Sequence, residues 1–229
     1  LNTAFVRDNS YMGITAPLAG FRYRFGAESY LGDYSFTAVT ADFRKYQRVN
    51  RVTLAVRAYS YSRLGKDQER LYPLFIGYPY FVRGYEANSF YKKGTAVNTP
   101  GQFSLSQLTG SKIAVFNFEV RLPFTGPKRL SAIESKFLFS DLNAFFDVGL
   151  AYDQDSKVTF RSQPQQYEGY DVQTGTQMLI TERVPAMSGG LSLRVNVFGY
   201  FVIEPYAAIP LQRKDISGPV FGMTFAPGW

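Results

Sequence analysis

The chain contains neither cysteine nor histidine. Without cysteine it forms no disulfide and no thiolate metal site. Without histidine it lacks the commonest general base and the commonest metal ligand, so a Ser-His-Asp or Cys-His hydrolase is excluded within this chain. Carboxylates remain possible calcium ligands, but the sequence has no Asp-x-Asp-x-Asp-Gly run. We therefore expect no catalytic residues, no metal site, no cofactor and no enzymatic activity.

Long apolar runs are also missing. No run approaches the length of about 18 residues that a transmembrane helix requires, and the mean hydropathy is −0.16. A membrane β-barrel is not excluded, because half of its strand residues face a polar lumen. Aromatic residues make up 17% of the chain, which also has 20 glycines. This composition favours strands and turns.

The formal net charge is +7 and the sequence pI is about 9.5. Such a balance suits nucleic acid, anionic lipid head groups or a cationic channel lining. The arginines are spread along the chain and not clustered, so we expect no nucleic-acid partner. Leu1-Asn2-Thr3 has no basic start and no apolar segment of a signal peptide. We expect the chain to begin inside a longer precursor.

Apolar and polar residues alternate with a period of two from end to end, which indicates β-strands. In the stretch 138–153, one face carries Leu142, Ala144, Phe146, Val148 and Leu150, and the other carries Asn143, Phe145, Asp147 and Gly149. The pattern predicts eight or nine strands. The best candidate for a helix is 126–136. The segments 158–161 and 178–183 are candidates for a hairpin.

The connections alternate between long and short. Those at 65–111 and 154–186 are long, whereas those near 47–51 and 199–200 are short. Outer-membrane barrels alternate in this way, with long loops outside and short turns in the periplasm. A soluble β-sandwich is the alternative, because it also alternates residues. Strands of about ten residues with an aromatic and aliphatic face favour a bilayer span.

The most informative motif is Val82-Arg83-Gly84-Tyr85, inside the first long connection. An arginine beside a glycine in a long loop is either solvated or paired with an anion. Glu119 and Asp147 are candidate partners, because alternation puts both on the polar faces of the next two strands. A buried arginine between two acids would hold the loop in place without doing chemistry.

Several motifs occur in a definite order along the chain. They are Arg7-Asp8-Asn9 with Pro17 to Gly20, the Val82–Tyr85 tip, the strand with Glu119, the Phe146–Gly149 strand, and Gly189 to Arg194. This order resembles the outer-membrane polypeptide-transport barrels, the superfamily of BamA, TamA and the two-partner secretion transporters.

The resemblance implies an all-β, antiparallel transmembrane β-barrel of about sixteen strands in the bacterial outer membrane. Residues 1–229 would form its C-terminal eight or nine strands, with 65–111 as a loop entering the lumen and 154–186 as a long outer loop. Arg83, Gly84, Tyr85, Glu119 and Asp147 would form a lumen lock. The implied C-terminal targeting signal consists of Phe221, Met223 and Phe225.

By the same resemblance, the barrel inserts or translocates polypeptides. The alternatives are an anchor or exporter for a soluble domain encoded upstream, and a passive porin. The implied partners are the bilayer with its lipopolysaccharide, client polypeptides, and outer-membrane or periplasmic accessory proteins. Barrel strands or a domain outside this sequence would complete the structure.

Overall fold

The computed structural model describes residues 1–13, 15–91, 102–170 and 177–225. The fold is all-β apart from a short helix, α1 (Ala87–Tyr91), and a 3-10 helix, Leu105–Leu108. No helix in these ranges is long and apolar enough to cross a membrane. The strands are β1 (Asn2–Asp8), β2 (Tyr11–Met12), β3 (Pro17–Tyr30), β4 (Phe36–Val49), β5 (Val52–Leu64), β6 (Leu74–Phe75), β7 (Thr109–Gly110), β8 (Lys112–Gly126), β9 (Ile133–Glu134), β10 (Phe139–Tyr152), β11 (Gln166–Tyr170), β12 (Gln177–Thr181), β13 (Ala186–Val197), β14 (Phe201–Pro210) and β15 (Val220–Phe225).

One large sheet follows the order β1-β3-β4-β5-β8-β10-β13-β14-β15. Neighbours along this path are antiparallel. The predicted count of eight or nine strands is confirmed by these nine. Within the described residues the sheet is not closed, because β1 and β15 each pair on one side only. The structure is a partial barrel, and each unpaired backbone group at such an edge costs several kcal/mol in lipid.

The alternation predicted from the sequence matches the two faces of the wall. Along β8, Asn117, Glu119 and Arg121 are buried inside the sheet. Phe116, two residues before Phe118 on the opposite face, is 44% exposed. Such a wall offers apolar side chains to lipid and keeps its charges in the interior.

The antiparallel order puts successive connections at opposite ends of the strands. The two long connections contact each other at one end. Phe103 N donates to Gln163 Oε1 at 3.0 Å, and Val184 N donates to Gln107 Oε1 at 3.1 Å. The turns after β4 and β13 lie at the other end, where Asn50 and Phe198 take φ values of 57° and 51°.

Inside the end that carries the long connections, both of them pack against the wall in one apolar cluster. Its buried members include Ile76, Val82 and Tyr85 from the first connection, and Val184 from the second. The inward residues of β8 and β10, Ile113, Val115 and Ala151, complete the cluster. The part of the barrel mouth that these strands enclose is therefore filled by side chains.

The predicted helix at 126–136 is wrong. A single turn forms there, in which Leu130 N and Ser131 N both donate to Pro127 O, at 2.9 and 3.1 Å. The chain then returns to β8, because β9 pairs in parallel with Thr125 and Gly126. This pairing takes the backbone groups that a second helical turn would need.

The predicted hairpin of 158–161 with 178–183 is also wrong. The antiparallel partner of β12 is β11. Val158 makes only an isolated parallel bridge to Arg183. The two strands of a hairpin run antiparallel, so a parallel bridge cannot be part of one. β11 and β12, in contrast, pair antiparallel.

The compartment that each end faces can be measured by cysteine labelling. We expect a cysteine at Gln166, in β11, to react with a membrane-impermeant maleimide in intact cells. A cysteine at Asn50, in the turn after β4, should react only after the outer membrane is opened. The chain has no cysteine of its own, so the background is low. Labelling of Asn50 in intact cells would reverse the orientation.

Candidate functional site

The Val82–Tyr85 tip turns into the barrel because of its local backbone. Phe81 N and Val82 N both donate to Tyr78 O, at 2.8 and 3.0 Å, which closes a tight turn just before the tip. Gly84 has a φ of +86°, a conformation that L side chains rarely adopt. A Cβ at this position would also lie 3.0 Å from the Cβ of Ala208. Glycine is therefore required for the tip to approach β14.

Arg83 lies at the centre of the interior and is 3% exposed. Its Nε lies 2.8 Å from Asp147 Oδ2, and its Nη2 lies 2.8 Å from Glu119 Oε1. Its Nη1 reaches a third carboxylate, Glu204 Oε1, at 3.1 Å. The backbone N of Arg83 also donates to Asp147 at 3.2 Å. One guanidinium thus joins β8, β10 and β14.

Two further arginines of the wall extend this arrangement into a six-residue ion network. Arg121 Nε lies 2.8 Å from Glu119 Oε2. Arg194 bridges Glu119 at 3.0 Å and Glu204 at 2.9 Å. With Arg83, three cations face three carboxylates, so the formal charges cancel. Mutual neutralisation is what makes so many buried charges tolerable.

Neutral groups complete the surroundings of Arg83. Its guanidinium carbon lies 3.6 Å from the centroid of the Phe145 ring, a cation–π contact. Asn117 Nδ2 donates to Phe81 O and to Asp147 Oδ1, both at 2.8 Å. Asn117 thereby positions the backbone before the tip and the carboxylate that receives it.

Burial alone would lower the pKa of Arg83. The negative charges of Asp147 and Glu119 outweigh it and raise the pKa above its ordinary value. Arg83 is therefore a cation among these carboxylates, as arginine is in proteins generally.

A second set of contacts holds the loop one turn earlier, at Tyr80. Arg57 donates to Tyr80 O at 3.1 Å and lies over the Tyr80 ring, 4.2 Å from its centroid. Arg44 donates to the Tyr80 hydroxyl at 3.1 Å. Both arginines pair with Asp42, at 3.3 and 2.6 Å. The loop is thus attached to β4 and β5 as well as to the strands that hold Arg83.

Tyr85 attaches the other side of the tip. Its hydroxyl lies 2.6 Å from Gln212 Oε1 and 2.9 Å from Met187 O. Tyr85 is fully buried. These contacts connect the tip to the start of β13 and to the connection after β14.

Gly149, two residues after Asp147 on the same face of β10, makes room for the tip. A Cβ there would lie 2.4 Å from Val82 Cγ2 and 3.0 Å from Ile76 Cδ1. We expect Gly149→Ala to push the tip away from Asp147 and to cost about 1–3 kcal/mol, as overpacking of a filled core does.

Chymotrypsin digestion of the assembled protein measures this displacement through the loop aromatics. The matched control is Gly189→Ala on the neighbouring β13, where a Cβ would meet nothing closer than 3.6 Å. Equal resistance of both variants to the protease would show that Gly149 is not needed for the fit.

The structure brings together Arg83, Glu119 and Asp147, the three charged residues that sequence reasoning singled out for a lock. The role of Glu204 in receiving Arg83 was missed. Its inward position on β14 follows from alternation, but nothing in the sequence indicates that β14 lies opposite the tip. Phe221, Met223 and Phe225 lie on the opposite face of β15 from the site, and they are 77%, 53% and 63% exposed.

The fold and the site together define a class of protein. They describe a partial antiparallel barrel with an apolar outer face, a charged interior, and a long loop whose tip packs against the inner face of the wall. The model of the Omp85 superfamily domain matches residues 2–216, almost the whole chain. The chain therefore belongs to the Omp85 superfamily, which confirms the resemblance found in the sequence. No curated protein matches it.

Membership establishes a coarse function and a location. Proteins of this superfamily reside in the bacterial outer membrane, where they insert or transport polypeptides and work with the bilayer, client polypeptides and accessory proteins. They are transporters and insertases and not enzymes.

Proposed function

We propose that this chain is the part of an outer-membrane barrel that inserts or translocates client polypeptides. The observation that supports this most directly is that a loop tip lies inside the sheet and is held there through Arg83. A loop attached by ion pairs and hydrogen bonds, with no covalent link, can be released and reformed. The lock role of Arg83, Gly84, Tyr85, Glu119 and Asp147 is part of this proposal.

Release of the tip would change the charge of the lumen. With Arg83 withdrawn, three carboxylates face the two remaining arginines of the network, Arg121 and Arg194. The lumen then carries a net negative charge near its centre, and its filled mouth opens. A polypeptide with basic or polar side chains finds hydrogen-bond acceptors there in place of the guanidinium.

Insertion of a client into the membrane would use strand pairing at a seam of the completed barrel, as membership of the superfamily suggests. An exposed strand edge offers a row of backbone N–H and C=O groups to an incoming strand. A client strand that pairs there satisfies its own backbone as it enters lipid. Strand pairing and exchange at a weak seam, with local thinning of the bilayer, is the mechanism that we propose for insertion. It needs no cofactor and no covalent intermediate.

The filled lumen argues against the passive porin. A porin needs a water-filled channel, whereas here Ile76, Val82 and Tyr85 are fully buried in the mouth. The anchor or exporter of an upstream soluble domain would share the fold. It would not accelerate the folding of an unrelated client.

This difference defines the experiment. The natural protein is reconstituted in vesicles, and an unfolded outer-membrane polypeptide is added as client. We expect the rate at which the client acquires its heat-resistant folded form to rise above that of empty vesicles. A rate equal to that of empty vesicles, with a correctly assembled barrel, would favour the anchor. Rapid flux of small solutes without client folding would favour the porin.

We also propose that Phe221, Met223 and Phe225 form the signal by which the chain is recognised during its own assembly. Their support is that all three face outward on the last strand of the sheet and present an aromatic and thioether surface. Outward-facing positions are accessible to another protein before lipid covers them.

A further inference from the structure

A groove of about 430 Å³ runs along the outer face of the wall formed by β4, β5, β8 and β10. The strand register explains its shape. Ala41, Ser60 and Ala114 lie directly opposite one another and form a row of small side chains. In the next row Ala58 lies between Phe43 and Phe116, which stand up on either side of it.

The groove lies on the face that the alternation turns towards lipid. Its lining consists of alanine, phenylalanine, valine and leucine residues together with one tyrosine, one proline and one serine, and it contains no charged residue. A row of small residues between aromatic rings leaves a narrow depression that a straight hydrocarbon chain fills more completely than a globular side chain would. The buried area of a methylene chain in such a depression stabilises binding in proportion to its length.

A cation stands at the end of this groove that faces the long connections. Lys112 lies two residues before Ala114 on the same outward face, about 7 Å along the strand. It pairs across the strands with Ser62 and Tyr152. The outward faces of these four strands, all of which the structure describes, carry no carboxylate. The wall therefore has no acid to neutralise Lys112.

The loop above the groove adds positive charge. Phe160 lines the groove and is 85% exposed. Its neighbours Lys157 and Arg161, whose side chains are 55% and 53% exposed, share one carboxylate, Glu182, at 3.1 and 3.9 Å. Two cations on one carboxylate leave a formal charge of +1.

Two other acidic side chains of the same stretch, Asp153 and Asp155, lie elsewhere. Asp153 and Asp155 line a separate cavity together with Arg183, and Asp153 is paired with that arginine at 3.0 Å. Neither of these two acids cancels the positive charge around Phe160. An apolar groove with cations at one end is complementary to a lipid that has an acyl chain and a phosphate.

We propose that this groove binds an acyl chain of lipopolysaccharide, with Lys112 contacting a phosphate of its lipid A. The choice of lipopolysaccharide rests on the proposed orientation, in which the long connections face the cell exterior. In an outer membrane, the leaflet at that end is built of lipopolysaccharide. The groove would give the wall a fixed lipid neighbour beside β5 and β8, the strands that flank the first long connection.

The first test fills the groove. The natural protein is purified in a mild detergent, and its binding of lipid A is titrated by native mass spectrometry. Ala114→Trp is expected to weaken binding about tenfold, because excluding about two methylene groups is enough for that loss. Ala144→Trp on β10 is the matched control, since Ala144 faces outward but does not line the groove. Equal affinity of the two variants would overturn the proposal.

The second test removes the cation and does not depend on filling the groove. Lys112→Gln should weaken binding of lipid A about threefold, the effect of one partly exposed charge pair. Lys45→Gln is the control, because Lys45 is an outward lysine at the opposite end of β4. If Ala114→Trp fails to assemble, as judged by heat-modifiable migration, the comparison of Lys112→Gln with Lys45→Gln decides whether the proposal stands. Equal binding of the two lysine variants would overturn the role of the phosphate.

Two further measurements show which lipid is bound and whether lipid binding is independent of Arg83. Phosphatidylglycerol is titrated in parallel, and a preference for it over lipid A would overturn the choice of lipopolysaccharide. The Arg83→Ala variant is titrated as well, and we expect it to bind lipid A as the natural protein does. The groove can thus fail while client insertion persists, and client insertion can fail while lipid binding persists.

Discussion

Replacing Arg83 with alanine is expected to free the tip of the loop and to cost about 3–5 kcal/mol of its docking, the price of breaking a buried ion pair on one side. Asp147, Glu119 and Glu204 would each lose an N–O contact of 3.1 Å or less. The barrel should still assemble, because Arg121 and Arg194 continue to pair with Glu119 and Glu204.

Two measurements check this result. Chymotrypsin should cleave the loop at its aromatic residues near Tyr80 in the variant and not in the natural protein. Client insertion should fall, since the loop no longer returns to one closed position. The control is Arg70→Ala in the same connection, where the arginine side chain is 66% exposed and pairs with one carboxylate, Asp67, at 3.0 Å. If Arg83→Ala and Arg70→Ala behave alike, Arg83 is not a lock.

Replacing Glu119 with glutamine is expected to weaken the barrel itself and not only the loop. Glu119 accepts contacts from Arg83 at 2.8 Å, Arg121 at 2.8 Å and Arg194 at 3.0 Å. Glutamine keeps the shape but removes the charge, so three cations would face the two remaining carboxylates. We expect a loss of about 3–5 kcal/mol. Because Arg121 and Arg194 belong to β8 and β13, this loss of stability should affect the wall of the barrel.

The temperature at which the barrel loses its heat-resistant gel mobility measures that loss. Glu134→Gln is the control, because Glu134 is exposed on β9. Combining Glu119→Gln with Arg121→Gln should restore part of the stability, since it removes the uncompensated cation; the double-mutant cycle gives the coupling. An unchanged transition in the single variant would mean that solvent, and not the ion network, compensates these charges.

The sequence was sufficient for the wall of the barrel and for half of the site. Alternation assigns Glu119 and Asp147 to the inner face, and a two-residue period has no competing interpretation in strands of this length. Alternation does not say which inward residue meets which across the lumen. Glu204 is 121 residues from Arg83 along the chain, and its contact depends on how the whole sheet curves.

The attachment of Tyr80 to Arg57 was missed for a related reason. A backbone carbonyl is available at every residue, so no side-chain pattern indicates that Tyr80 O is the acceptor. The space that Gly149 leaves for Val82 is equally invisible in the sequence, where a glycine in a strand is also typical of a bulge. The turn within 126–136 does not continue into a helix because β9 pairs with the end of β8, a contact that the local sequence does not indicate.

The ion network also sets the order in which the protein can be completed. The partners of Arg83 lie 36, 64 and 121 residues further along the chain. Contacts between residues so far apart in the sequence form late, because a large loop must first close at a cost in entropy. The ion network can therefore be complete only after β14 has joined the sheet, although Glu119 and Asp147 can receive Arg83 before that. Full attachment of the tip thus reports that the strands from β8 to β14 have paired.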